Sequence, residues 1–103
     1  MSRLAQLEKL HAADAADADV MYMIAQEHAK AGDFDSAIAW YDRCLAADPK
    51  YVYAFYHKAR AQQATGDVPA AVQSARAGLA RARELGQAKA QSELASLLDE
   101  LEP

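Results

Sequence analysis

A chain of 103 residues is long enough for one domain with its own core, and it needs neither disulfide nor metal to hold that core together. The 52% apolar share is rich in alanine, prolines and glycines are few, and the bulky β-branched residues are confined to Val20, Ile24, Ile38, Val52, Val68 and Val72, so a strand-based fold is excluded. The net charge of −4 and the single cysteine, Cys44, argue against a nucleic-acid partner, an internal disulfide and a cysteine-rich metal site, and they suit a reducing, cytoplasmic location.

In chain order, Leu4, Leu7 and Leu10 follow Met1-Ser2-Arg3 at helical spacing, which predicts a first helix over residues 3–12 rather than a secretory signal or membrane span. A second helix is expected over 18–31, closed by Gly32, whose freedom to take a left-handed turn ends it, and by Asp33, which caps the next helix. That third helix runs over 35–47 and stops at Asp48-Pro49, because proline drives its predecessor out of the helical region. The fourth occupies 51–65 and ends on Gly66-Asp67. The fifth, over 68–84, carries Pro69 in its first turn, where a missing amide is tolerated. Gly86 breaks the chain before a sixth helix over 87–101. Its apolar stripe, Ala90, Leu94, Leu97, Leu98 and Leu101, faces away from acidic Glu93, Asp99, Glu100 and Glu102.

A shift of 34 residues lays the chain on itself. Tyr22 falls on Tyr56, Ala25 on Ala59, Gly32-Asp33 on Gly66-Asp67, Ala37 on Ala71, and Leu45-Ala46 on Leu79-Ala80. Met21 with Phe55, Phe34 with Val68 and Ile38 with Val72 are conservative pairs, and Ala12-Ala13-Asp14 matches Ala46-Ala47-Asp48. One domain over 1–103 is therefore expected to divide into a half unit at 1–17, full units at 18–51 and 52–85, and a capping helix at 86–103.

These residues resemble the tetratricopeptide repeat family, whose unit has a W-x2-L-G-x2-Y pattern followed by A-x3-F and P. Met21, Ile24, Ala25, His28, Ala37, Tyr41 and Pro49 fill that spacing in the first unit, and Phe55, Lys58, Ala59, Gln62, Ala71 and Ala75 in the second. Lys58, Gln62 and Arg83, where the proline would stand, depart from it. Lys58 is expected to lay its stem on the core and extend its amine outward. The resemblance implies an all-α fold of antiparallel helix-turn-helix repeats stacked as a short right-handed superhelix. It also implies a concave face lined by the first helix of each unit.

On that face stand Asp19, Tyr22, Met23, Gln26 and Lys30 from the first unit, with Tyr53, Tyr56, His57, Arg60 and Gln63 from the second. Tyrosine, histidine and arginine suit capture of a peptide or protein segment, with Arg60 available to a carboxylate or carbonyl. The paired lysines and asparagines with which some relatives take a C-terminal dicarboxylate are replaced here by Tyr22 and Gln26. A second reading starts from Trp40, expected on the exposed side of an outer helix, where it would join copies of the chain into a homo-oligomer.

No cofactor or metal is expected. His28 takes a packing position, His11 stands beside Asp14, Cys44 fills a small-residue site where a buried, inert thiol is expected, and no nucleophile, base and orienter assemble from spacing. The basic stretch containing Arg76, Arg81 and Arg83 lacks interleaved aromatics and reads as a solvated helix face. The expectation is a non-enzymatic binding module with no nucleic-acid or membrane partner.

Overall fold

A computed structural model describes residues 2–103. They form six helices: α1 (Arg3–Ala13), α2 (Ala18–Lys30), α3 (Phe34–Ala47), α4 (Val52–Ala64), α5 (Val68–Leu85) and α6 (Ala88–Leu101). Each begins and ends within one residue of its expected limits, because the corners are set by strong local chemistry. Among the described residues no helix is long and apolar enough to cross a membrane.

Gly32 and Gly66 take φ of 79° and 87° at the ends of α2 and α4, a region that side-chain-bearing residues rarely enter. At both corners the next amide reaches back to a helical carbonyl, Asp33 N–H to His28 O at 2.9 Å and Asp67 N–H to Gln62 O at 3.0 Å. The same two aspartates then turn their side chains forward, accepting from the amides of Ser36 and Ala70, each at 3.2 Å. One residue thus closes one helix and opens the following one.

The other kind of corner also repeats. Asp14 and Asp48 end α1 and α3 with nearly the same backbone angles, and each accepts through Oδ1 from the amide two residues on, at 3.2 Å from Ala16 and 3.0 Å from Lys50.

Consecutive helices pack on one another along the whole chain, and α4 also touches α2 and α6. The result is an all-α superhelical stack with α2, α4 and α6 in one layer and α1, α3 and α5 in the other. Overall dimensions of 42 × 29 × 18 Å agree with two helix layers, each about 10 Å thick.

The core is a row of three clusters. Leu7, Val20 and Ile24 join α1 to α2; Met21, Ala25, Ala37, Tyr41, Cys44 and Ala54 join α2, α3 and α4; Ala59, Ala71, Val72, Ala75, Leu94, Leu97 and others join α4, α5 and α6. Alanine allows these helices to approach closely, and the bulk comes from Tyr41, Ile24, Leu94 and Leu97, all almost fully buried. α4 and α5 also approach closely at Gly78, where a Cβ would lie 2.7 Å from the Cβ of Phe55.

The polar departures in the second unit are accommodated by partners. Lys58 reaches Asp42 of α3 with its Nζ 2.5 Å from Oδ1, its stem largely covered. Gln62 Oε1 accepts from the buried Ser74 hydroxyl at 2.6 Å, so neither polar group is left unsatisfied.

The structure corrects two expectations at the N-terminal end. Trp40 is half-buried rather than exposed: it packs on the Leu7 cluster, the His11 ring meets it edge-on at 5.0 Å, and the Arg43 guanidinium lies 3.9 Å from its ring centroid. His11 pairs with Arg43 through Nε2 at 3.1 Å instead of forming a solvated pair with Asp14. The physical reason is α1, which lies over this part of α3 and converts an outer surface into a contact.

Candidate partner-binding face

The α2–α4–α6 layer carries a continuous group of rings. Tyr22 of α2 is its centre, with centroids 4.9 Å from Tyr51, 5.7 Å from His57 and 5.9 Å from Tyr41 beneath. From His57 the series continues to Tyr56 at 5.1 Å and on to Tyr53 at 6.5 Å. Apart from the buried Tyr41, every one of these rings is half-buried, with its body packed into the protein and part of its surface open. Such edge and offset contacts add about 0.5–1.5 kcal/mol per pair beyond area burial, so the rings form a stiff surface.

Local structure explains the placement. Tyr22 and Tyr56 occupy equivalent turns of α2 and α4, one repeat apart, and His57 follows Tyr56 on the side of α4 turned to α2. Tyr51 comes from the corner after Pro49 and is fixed by its hydroxyl, which donates to Asp19 Oδ1 at 2.8 Å.

Tyr22, Tyr41, Tyr51 and His57 are neutral near pH 7. Burial pushes the Tyr22 phenol up to about 12, with Cys44 and Tyr53 adding to the effect. Tyr41 is raised by burial, and Tyr51 by burial and then by its hydrogen bond to Asp19. Burial also holds His57 below the ordinary histidine range, aided by Arg60 and opposed by Glu93. Cys44, buried behind the rings, is raised to about 12 by burial and by the charges of Asp48 and Asp19, which makes it a poor nucleophile.

Arg60 is engaged more fully than its sequence position suggests. Its Nη1 and Nη2 donate to the two Glu100 oxygens at 2.7 and 3.3 Å, Nε and Nη2 donate to the Tyr56 hydroxyl at 3.4 and 3.2 Å, and Nη1 also donates to Gln63 Oε1 at 3.1 Å. Glu100 raises the arginine's affinity for its proton, and Arg60 in turn holds Glu100 below the ordinary carboxylate range. This two-pronged pair ties α6 to α4.

Of the sequence-selected residues, Tyr22, Tyr53, Tyr56 and His57 come together in the ring series, and Arg60 with Gln63 adjoins it. Gln26 is half-buried one turn beyond Tyr22. Lys30 is exposed at the far end of α2, 3.6 Å from Glu27. Met23 turns toward α1, where its sulfur accepts from Arg3 at 3.6 Å, and takes no part in the ring series. Tyr51, Glu93 and Glu100 were not anticipated. The run Tyr51, Tyr53, Tyr56 hinted at the first, whereas nothing local marks an acid on α6 as the partner of an arginine on α4.

A tetratricopeptide repeat family model matches residues 18–51. A TPR repeat-containing protein of Pseudomonas aeruginosa is 32% identical over 96 residues, which span 93% of this chain and 91% of that protein. The solution structure of a tetratricopeptide repeat domain protein from Salinibacter ruber superposes with a TM-score of 0.78 at 30% identity, covering 84% of this chain and 87% of that one. The TPR2B domain of yeast Sti1, solved in a complex with pHsp70, gives a TM-score of 0.90 over 95% of this chain and 78% of that one. At 23% identity that last likeness speaks for the fold alone. With a relative aligned along nearly its whole length, the chain belongs to the tetratricopeptide repeat family, whose fold is that of a protein-interaction module.

Proposed function

We propose that this protein holds a peptide or protein segment against the ring series of the α2–α4–α6 layer, which corresponds to the concave face of the family. The observation that carries this reading is the half-buried series Tyr51, Tyr22, His57, Tyr56 and Tyr53, five neighbouring rings on one side of the stack. Rings already packed and mutually fixed lose little freedom when a partner covers them, so their apolar area contributes to affinity at low entropic cost. Neutral phenols and a neutral imidazole add hydrogen-bonding groups without a charge to desolvate. A segment captured on a two-repeat protein of yeast-domain-like fold is also in keeping with the Sti1 domain's complex with pHsp70.

The test is affinity capture from the native lysate with the wild-type chain and with Tyr56→Ala. Retained helicity with at least about tenfold less captured partner is the expected result. Undiminished capture by the folded variant refutes the reading.

A further inference from the structure

We propose that the segment held on this face is basic, with a lysine or arginine side chain laid beside Tyr22 and Tyr51 and its charge at Asp19. This rests on the face assigned above and adds the chemistry of its occupant. The cations nearest the rings are already engaged: Lys58 is drawn to Asp42 in the opposite layer and Arg60 is held by Glu100, whereas the loosely paired, exposed Lys30 and Lys89 stand at the ends of α2 and α6, away from the Tyr22–Tyr51 pair. Asp19, by contrast, has no cationic partner among the described residues. It is exposed, and its contact is the Tyr51 hydroxyl on Oδ1.

Position makes this charge pattern meaningful. Asp19 stands directly beside the Tyr22–Tyr51 ring pair, whose centroids are 4.9 Å apart with planes inclined by 32°. A carboxylate next to tyrosine rings offers a cation both an opposite charge and an electron-rich surface for its aliphatic stem. Glu93 acts on His57 from α6, and Glu100 lies beyond Tyr56. An acidic segment would meet Asp19 uncompensated and would reach Arg60 only by displacing Glu100. A basic segment meets neither obstacle.

The experiment uses the full chain and three synthetic peptide pools with the same leucine and tyrosine content, differing only in whether their variable positions are basic, acidic or neutral. Affinity is read by fluorescence anisotropy, and position by NMR shifts of the backbone amides and the tyrosine rings. The basic pool is expected to bind about tenfold more tightly than the acidic pool, with shifts at Tyr22 and Tyr51. Asp19→Asn, which keeps an acceptor for the Tyr51 hydroxyl, is expected to abolish that preference without loss of helicity. Equal or tighter binding of the acidic or neutral pool with shifts on the same rings overturns the basic occupant and leaves the face intact. Shifts confined to α3 and α5, or no binding by any pool, overturn both. A dimer that forms through these rings and excludes the basic pool assigns the face to a second copy and also overturns the proposal.

Discussion

Gly78 is the residue at which packing and propensity pull in opposite directions. Alanine in place of glycine inside α5 would favour the helix by about 1 kcal/mol. The new Cβ would stand 2.7 Å from Phe55 Cβ and 3.2 Å from a Leu94 methyl, so α4 would have to move and the Leu94 side chain to give way. Overpacking of this kind costs about 1–3 kcal/mol, and because Phe55 Cβ is fixed to its backbone the clash prevails. Gly78→Ala is expected to lower the urea midpoint; an unchanged or higher midpoint would show that α4 yields easily. Two carboxylates set a second expectation. Asp33 is held below the ordinary range first by the Ser36 hydroxyl and then by the Ser36 amide, and Glu100 by Arg60. With folded values below unfolded ones, their contribution is complete above the ordinary carboxylate range and is lost as pH falls through the folded values. Between about pH 6 and about pH 3 the urea midpoint should therefore fall, and Glu100→Gln should lower it at the upper end and flatten the decline.

Among the elements, α1 is the least firmly held. Leu7 is its single buried side chain, Leu10 is left 55% exposed, and its other ties include the half-buried Leu4, the Arg3 contacts with Glu27 and Met23, and the His11 contact with Trp40 and Arg43. Leu7→Ala removes the anchor at a cost of about 2–5 kcal/mol. The consequence should be local: Trp40 emission moves to longer wavelength as α1 detaches, while most of the helical circular dichroism persists. Loss of all helicity together would mean that α1 is integral to the stack. The helices themselves were legible in the sequence because their limits rest on neighbours in the chain, such as Gly32 with Asp33 and Asp48 with Pro49. Tyr22 and Tyr56 were legible for the same reason, since a fixed repeat carries equivalent residues to equivalent faces. The position of Arg60 was legible too, but its engagement was not: it depends on Glu100, forty positions away on α6, and no local pattern encodes that meeting. Trp40 was misjudged likewise, because what covers it comes from α1.

At the scale of the molecule, contacts run mostly between neighbouring helices, with α2–α4, α4–α6 and the meeting of α1 with α3 at Trp40 and Arg43 as additional links. Stability in such a stack is distributed as local terms and neighbour interfaces rather than around one centre. Amide exchange should consequently be slowest in α4 and α5, which lie inside the largest cluster, and fastest in α1. Uniform protection across all six helices would indicate a single cooperative unit instead. The C-terminal end differs from the N-terminal one: α6 buries Ala90, Leu94, Leu97 and Leu101 and is tied on both sides by Arg60–Glu100 and Arg76–Glu102.

Asp33 and Asp67, each shared by two helices, leave no slack at the corners they occupy. A residue inserted after Asp33 would turn the apolar stripe of α3 by about 100° and uncouple the cap from the turn before it. Lengthening a corner is thus closed to this chain as a route of change, whereas adding a complete 34-residue block keeps every helix in phase. An architecture with such corners varies by counting, in whole units, and any broader grip on a partner would come from another copy of the block rather than from a longer loop.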